Sequence, residues 1–150
     1  MTLHASAVLV GARAVLIRGP SGSGKSRLAL GLITAAQSGL VRFARLVGDD
    51  RVQLEAHNDR LLVRPAERLA GMIEVRGLGM RRVPFEQVAV VGLVVDLAAA
   101  DAERLPSGAA HTIVIDGISL PRLPVAAGTH PFFPVVAILT TVAIDPGKTP

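Results

Sequence analysis

The sequence predicts an α/β domain built on a mixed, largely antiparallel sheet with one main helix packed against it. Three observations predict this. "GPSGSGKS", Gly19 to Ser26, lies between an apolar run and an amphipathic stretch. A series of short β-type runs follows, broken by Gly, Pro, Asn or Asp. Long helical stretches do not alternate with those runs, as they would in a doubly wound sheet. At 150 residues, half of them hydrophobic, the chain is long enough for one domain with a real core.

The elements follow in order. "SAVLVG" (6–11) and "AVLIR" (14–18) read as two strands around a tight turn at Gly11 and Ala12. The second run is unbroken by polar residues, which predicts a buried central strand. "KSRLALGLITAAQSG" places Leu28, Leu32 and Ala35 on one helical face, with Ala29 and Ile33 beside them and Gly39 as the stop. "FARLVG", "RVQLEAH", "RLLVRP", "MIEVRG", "VAVVGLVVDL", "HTIVIDG" and "ISLPRLPV" read as further strands, and "AHNDR" (56–60) as a hairpin turn. "PAERLAG" and "LAAADAERL" predict short helices, and a last strand or helix falls near 132–144. One domain is expected over 1–145, with 146–150 as a loose tail.

Composition removes several function classes. There is no cysteine, hence no disulfide and no thiolate metal site. The uncharged stretch Pro131 to Ile144 is too short to span a bilayer and carries two prolines. No signal peptide is read at the N-terminus, so a cytoplasmic protein without a membrane partner is expected. The net charge of +4 comes almost wholly from arginine, since Lys25 and Lys148 are the only lysines. Those arginines are scattered, and without Trp or Tyr there is no platform for stacking bases. Nucleic acid is not an expected partner.

Gly19-Pro20-Ser21-Gly22-Ser23-Gly24-Lys25-Ser26 matches G-x-x-x-x-G-K-[ST] in full. Gly22 and Gly24 can turn successive N–H groups inward around an anion, and the following helix adds its positive end. Lys25 can bridge the β- and γ-phosphates, while the Ser26 hydroxyl is placed to ligate Mg²⁺. The pattern therefore predicts a loop, Gly19 to Ser26, that binds the phosphates of a nucleotide. The guanine-reading N/T-K-x-D element of GTPases is absent, since Lys148 is followed only by Thr149 and Pro150.

Two acidic stretches bear on what is done with the phosphate. "ARLVGDDRV" (44–52) ends a β-type run on Asp49 and Asp50. In extended chain their side chains point opposite ways, so one can face the γ-phosphate while the other holds the loop or the metal. "MIEVRGLGM" (72–80) puts Glu74 and Arg76 on one face of a strand before a Gly-Leu-Gly bend. "VVGLVVDL" offers Asp96 as the acidic residue of a different scheme, a P-loop kinase acting on a small molecule. A third reading is a non-catalytic module that senses nucleotide. His57, His111 and Asp116 read as turn or surface residues.

"HASAV", the P-loop, the V-x-D-D strand end and "IEVRGLGM" occur in the order of one family. Together they resemble the catalytic domain of HPr kinase/phosphorylase, over about residues 3–125 and in its short form without the N-terminal domain. The resemblance implies that family's fold, related to PEP carboxykinase, and ATP- and Mg²⁺-dependent phosphorylation of a serine of HPr. It implies His4 as a catalytic residue near the phosphates, Lys25 as catalytic, and Asp50 as the base, with Asp49 the alternative. Glu74 would join Ser26 on Mg²⁺, and Arg104, in "AERLPSG", would be the catalytic arginine. A homo-oligomer, in that family a hexamer, is expected. Two departures stand out. "VGDD" replaces "VADD", which is expected to free the backbone beside the aspartates. The later basic loop falls at "PVAAGTHPFF", where His130 is the one cationic candidate, so phosphorolysis is less supported than kinase activity.

Overall fold

The computed structural model describes residues 1–104 and 107–144. The strands are β1 (Thr2–Leu3), β2 (Ala5–Val10), β3 (Arg13–Arg18), β4 (Ala44–Gly48), β5 (Val52–His57), β6 (Arg60–Pro65), β7 (Met72–Val75), β8 (Gly79–Arg82), β9 (Ala89–Leu97), β10 (Thr112–Ile115) and β11 (Ile118–Val125). The helices are α1 (Lys25–Gln37) and α2 (Phe132–Thr140), with short 3₁₀ turns at Glu67–Leu69 and Gly108–His111. The main sheet runs β1-β5-β6-β9-β3-β2-β4, and β7 and β8 form a separate hairpin. Among the described residues every strand pairing is antiparallel except β3–β9 and β9–β11. The mixed, largely antiparallel sheet is as predicted.

The sheet forks at β9. Its first residues, Ala89 and Val90, pair with β6, whereas Val94 to Leu97 pair with β11. β3 lies along its other side and is central, as its apolar run predicts. Alternation explains why that run is unbroken. Ala14 and Leu16 enter a core with Val52, Leu61 and Val91, while Val15 and Ile17 enter a second core under α1. A strand buried on both faces needs apolar residues at consecutive positions. α1 presents Leu28, Ala29 and Leu32 to that second core and also buries Ala35, the face the spacing predicts. It stops at Gly39, whose φ of 80° is left-handed, and Leu40 N–H reaches back to Ala35 O.

The turns follow their residues. Asn58 and Asp59 both take positive φ in the hairpin between β5 and β6, and Asp116-Gly117 does the same between β10 and β11. One expectation fails. Leu97 ends β9 and residues 98–104 form turns, not a helix: Ala98 is left-handed at φ 53° and the Asp101 carboxylate is drawn to Arg122 in β11. The last element is the helix α2. The tail expected at 146–150 lies outside the described residues. Among the described residues no helix is long and apolar enough to cross a membrane.

Candidate functional site

β3, β9 and β11 are parallel, and the loops leaving their C-terminal ends meet at one edge of the sheet. Open α/β sheets bind ligands at such ends. The loop leaving β3 is Gly19 to Gly24. Gly22 and Gly24 stand at φ 80° and 99°, left-handed angles that strain any residue with a Cβ. Gly19 is required for space: a Cβ there would meet Ser23 Oγ at 2.6 Å and Leu97 Cβ at 3.0 Å.

Three observations test whether this loop fits a nucleotide's phosphates. The Ser23 hydroxyl is buried and has no hydrogen-bond partner among the described residues, an orphan that an anion in the loop would satisfy. The Lys25 ammonium is buried and donates to the Gly19 and Pro20 carbonyls at 2.8 and 3.0 Å, closing over the loop's own backbone. A cavity of about 340 Å³ opens beside Pro20 and Ser23, walled by Leu97, Ala98, Val125 and Gly128. The residues fit a phosphate chain with room for a nucleoside alongside.

The two adjacent aspartates are sharply different. Asp49 is 3% exposed and surrounded by donors. It accepts hydrogen bonds from the Ser6 hydroxyl, from the Ser26 hydroxyl at 2.8 Å to either oxygen, and from Glu74 N–H at 3.3 Å. Asp50 turns outward, with its side chain 60% exposed, and pairs with His4 Nε2 at 2.9 Å. The divergence was expected, but its cause was not. The strand ends at Gly48, and Asp50 is left-handed at φ 66°. Gly48 also acts differently from expectation. Its φ is not positive, so backbone freedom is not its role; a Cβ there would lie 2.8 Å from Val52 Cγ1 and 3.1 Å from Pro65 Cα. Glycine lets β6 approach.

The structure thus brings together His4, Ser26, Asp49, Asp50 and the backbone of Glu74, next to Lys25 at the start of α1. Ser26 and Asp49 in contact are hard oxygen donors of the kind that hold Mg²⁺ in P-loop sites. The Glu74 side chain is exposed at the end of β7. Arg76 lies in the turn after that strand, so the two do not share a strand face. Arg104 is exposed on the segment after β9, with no hydrogen bond to the other site residues among those described.

Asp96 is placed otherwise. It faces Arg18 across the parallel β3–β9 ladder. Arg18 donates to both of its oxygens at 2.7 and 2.8 Å, and Arg122 Nε adds a third bond. Burial alone would raise this carboxyl, but the two arginines outweigh it and hold it below its ordinary value. Both oxygens are committed to guanidinium groups, which leaves the small-molecule-kinase scheme without a free acid at Asp96.

Sequence reading missed Ser6, Arg18, Asp101 and Arg122. A signal existed for the first two, since a serine inside "ASAVLV" and an arginine closing "AVLIR" are polar residues in buried strands. Asp101 and Arg122 gave no local signal.

Known proteins resemble this chain in sequence and in fold. HPr kinase/phosphorylase of Clostridium beijerinckii is 42% identical over 78 residues, which is 52% of this chain. That match spans only about a quarter of the relative's length, 24%. The solved structure of the Hpr(Ser) kinase/phosphatase from Coxiella burnetii superposes with a TM-score of 0.73 over 92% of this chain and 93% of that one. At 24% identity this likeness speaks for the fold. Residues 1–130 match the family model of the HPr Serine kinase C-terminal domain, and the chain belongs to that family.

Proposed function

We propose that this domain is an ATP- and Mg²⁺-dependent serine kinase whose acceptor is the phosphocarrier protein HPr. The carrying observation is the division between Asp49, buried on Ser26, and Asp50, exposed on His4. Ser26 and Asp49, with Glu74, would hold Mg²⁺. Bound there, Mg²⁺ supplies charge neutralisation for the phosphates. Asp50 is open to a protein surface and takes the proton from the acceptor serine's Oγ–H, while His4 orients its carboxylate. The serine oxygen attacks the γ-phosphorus, the bond to the β–γ bridging oxygen breaks, and phosphoserine and ADP result. Lys25, Arg104 and the inward N–H groups of the loop stabilise the charge on the transferring group. For the reverse direction, phosphorolysis by inorganic phosphate, Asp50 would return the proton to the serine oxygen. His130, whose Nδ1 accepts from Phe132 N–H at 3.4 Å, is the nearby loop's one imidazole, so this direction is the weaker. The exposed apolar side chains of α2, Phe133 foremost, suit a homo-oligomer.

The test is transfer of label from ATP to HPr of the same cell, with Lys25→Ala and Asp50→Asn beside the wild type. Label on a serine, absent from both variants, supports the reading. ATP binding without labelled HPr would retain the phosphate loop and overturn the acceptor.

A further inference from the structure

The ion pair at Asp96 is part of a longer chain of charges: Arg18–Asp96–Arg122–Asp101. Arg122 holds Asp96 through Nε and grips Asp101 with its two terminal nitrogens at 2.7 and 3.0 Å. Its Nη1 also donates to Ala110 O at 3.0 Å. The chain therefore ties the end of β3, one residue before the phosphate loop, to β9, β11 and the segment that leaves β9.

The four groups are not equally buried. Side-chain exposure is 13% for Arg122 and Asp96 and 26% for Arg18, but 54% for Asp101. An exposed ion pair contributes little to folding stability. This one is nevertheless bidentate, on an arginine whose fork Asp96 and Ala110 have already fixed, so little side-chain freedom is lost in forming it. What Asp101 holds is the 98–104 segment. That segment begins against the loop, where Leu97 touches the space above Gly19, and its start is fixed by Ala99 N–H to Val125 O at 2.9 Å. Beyond Ala102 N–H, which makes only a 3.5 Å bond to Ala99 O, Asp101 is the described tie of its far half. Arg104 follows three residues later, within about 10 Å of chain.

We propose that Asp101 is a positioning residue: its clamp on Arg122 fixes the 98–104 segment so that Arg104 is presented to the phosphate loop. This deepens the kinase reading above and rests on it for the role of Arg104.

The experiment measures kcat, the KM for ATP, melting temperature and backbone hydrogen exchange over 98–104. The variants are Asp101→Ala, Asp101→Glu, Arg104→Ala and the Asp101→Ala/Arg104→Ala double. Misplacing a catalytic group by an ångström can cost up to about 100-fold, so Asp101→Ala should lower kcat about 10- to 100-fold. Its melting temperature should stay near the wild type's, and Asp101→Glu should regain part of the loss. In the Arg104→Ala background the substitution should cost nothing further. Exchange over 98–104 should quicken in Asp101→Ala while α1 is unchanged. Unchanged exchange overturns the clamp whatever the activity, as do losses that multiply in the double variant. If the wild type fails to label HPr, the acceptor reading falls, and exchange alone still decides the clamp.

Discussion

Asp49 and Asp96 are both largely buried aspartates at the ends of apolar strands, and each is held by three or more hydrogen bonds. The donors differ. Asp49 receives two hydroxyls and an amide, all neutral, and Asp96 receives two guanidinium groups. Neutral donors leave a carboxylate without a cationic partner, whereas the one between arginines already has two. Under the proposed reading, the nature of the donors, more than burial or strand position, separates an acid placed to hold a metal from a structural one.

Four predictions sharpen that contrast. The largest effect belongs to Asp50→Asn, which should lower phosphoryl transfer about 10²- to 10⁴-fold, the range of a general base, with ATP binding retained. Titration calorimetry with ATP and Mg²⁺ beside the transfer assay separates the two quantities. Lys25→Ala should cost about 10²- to 10³-fold in transfer, as loss of a preorganised donor does. Asp96→Asn should act on stability instead. It leaves two arginines short of a partner, and partial solvation reduces the usual penalty to about 2–3 kcal/mol, read from urea midpoints.

That penalty carries a pH signature. The Asp96 carboxyl lies below its ordinary 3.8 in the folded chain, so its contribution is fully present above the unfolded value. It is lost as pH falls through the lowered folded value. The gap between wild type and Asp96→Asn should thus be constant from pH 5 to 8 and close below about pH 4. The smallest effect is Gly48→Ala, about 1–2 kcal/mol from overpacking against Val52 and Pro65. Denaturation reports it, and transfer by the folded protein should be little changed.

The strand, loop and helix around Lys25 were legible because they are local: an apolar run, glycines at set offsets and helical spacing lie within about one P-loop motif of each other. The hairpins at Asn58-Asp59 and Asp116-Gly117 were legible for the same reason. That Asp49 and Asp50 diverge was legible too, but which of them is buried and what holds it was not, because that depends on a left-handed residue and on Ser6, 43 residues upstream of Asp49. The Arg18–Asp96–Arg122–Asp101 chain was hidden more deeply. It exists only through the parallel register of β3, β9 and β11, which no local pattern encodes. Residues 97–104 misled for a related reason, since alanines that favour helix are overridden by a distant arginine.

The most direct test compares Asp50→Asn with Asp96→Asn for transfer of labelled phosphate from ATP to a serine of HPr, at a temperature where both remain folded and bind ATP. Loss of transfer in Asp50→Asn, with Asp96→Asn within about tenfold of wild type, is the result expected if Asp50 is the base and Asp96 is structural. Transfer that survives Asp50→Asn but vanishes in folded Asp96→Asn would contradict the account.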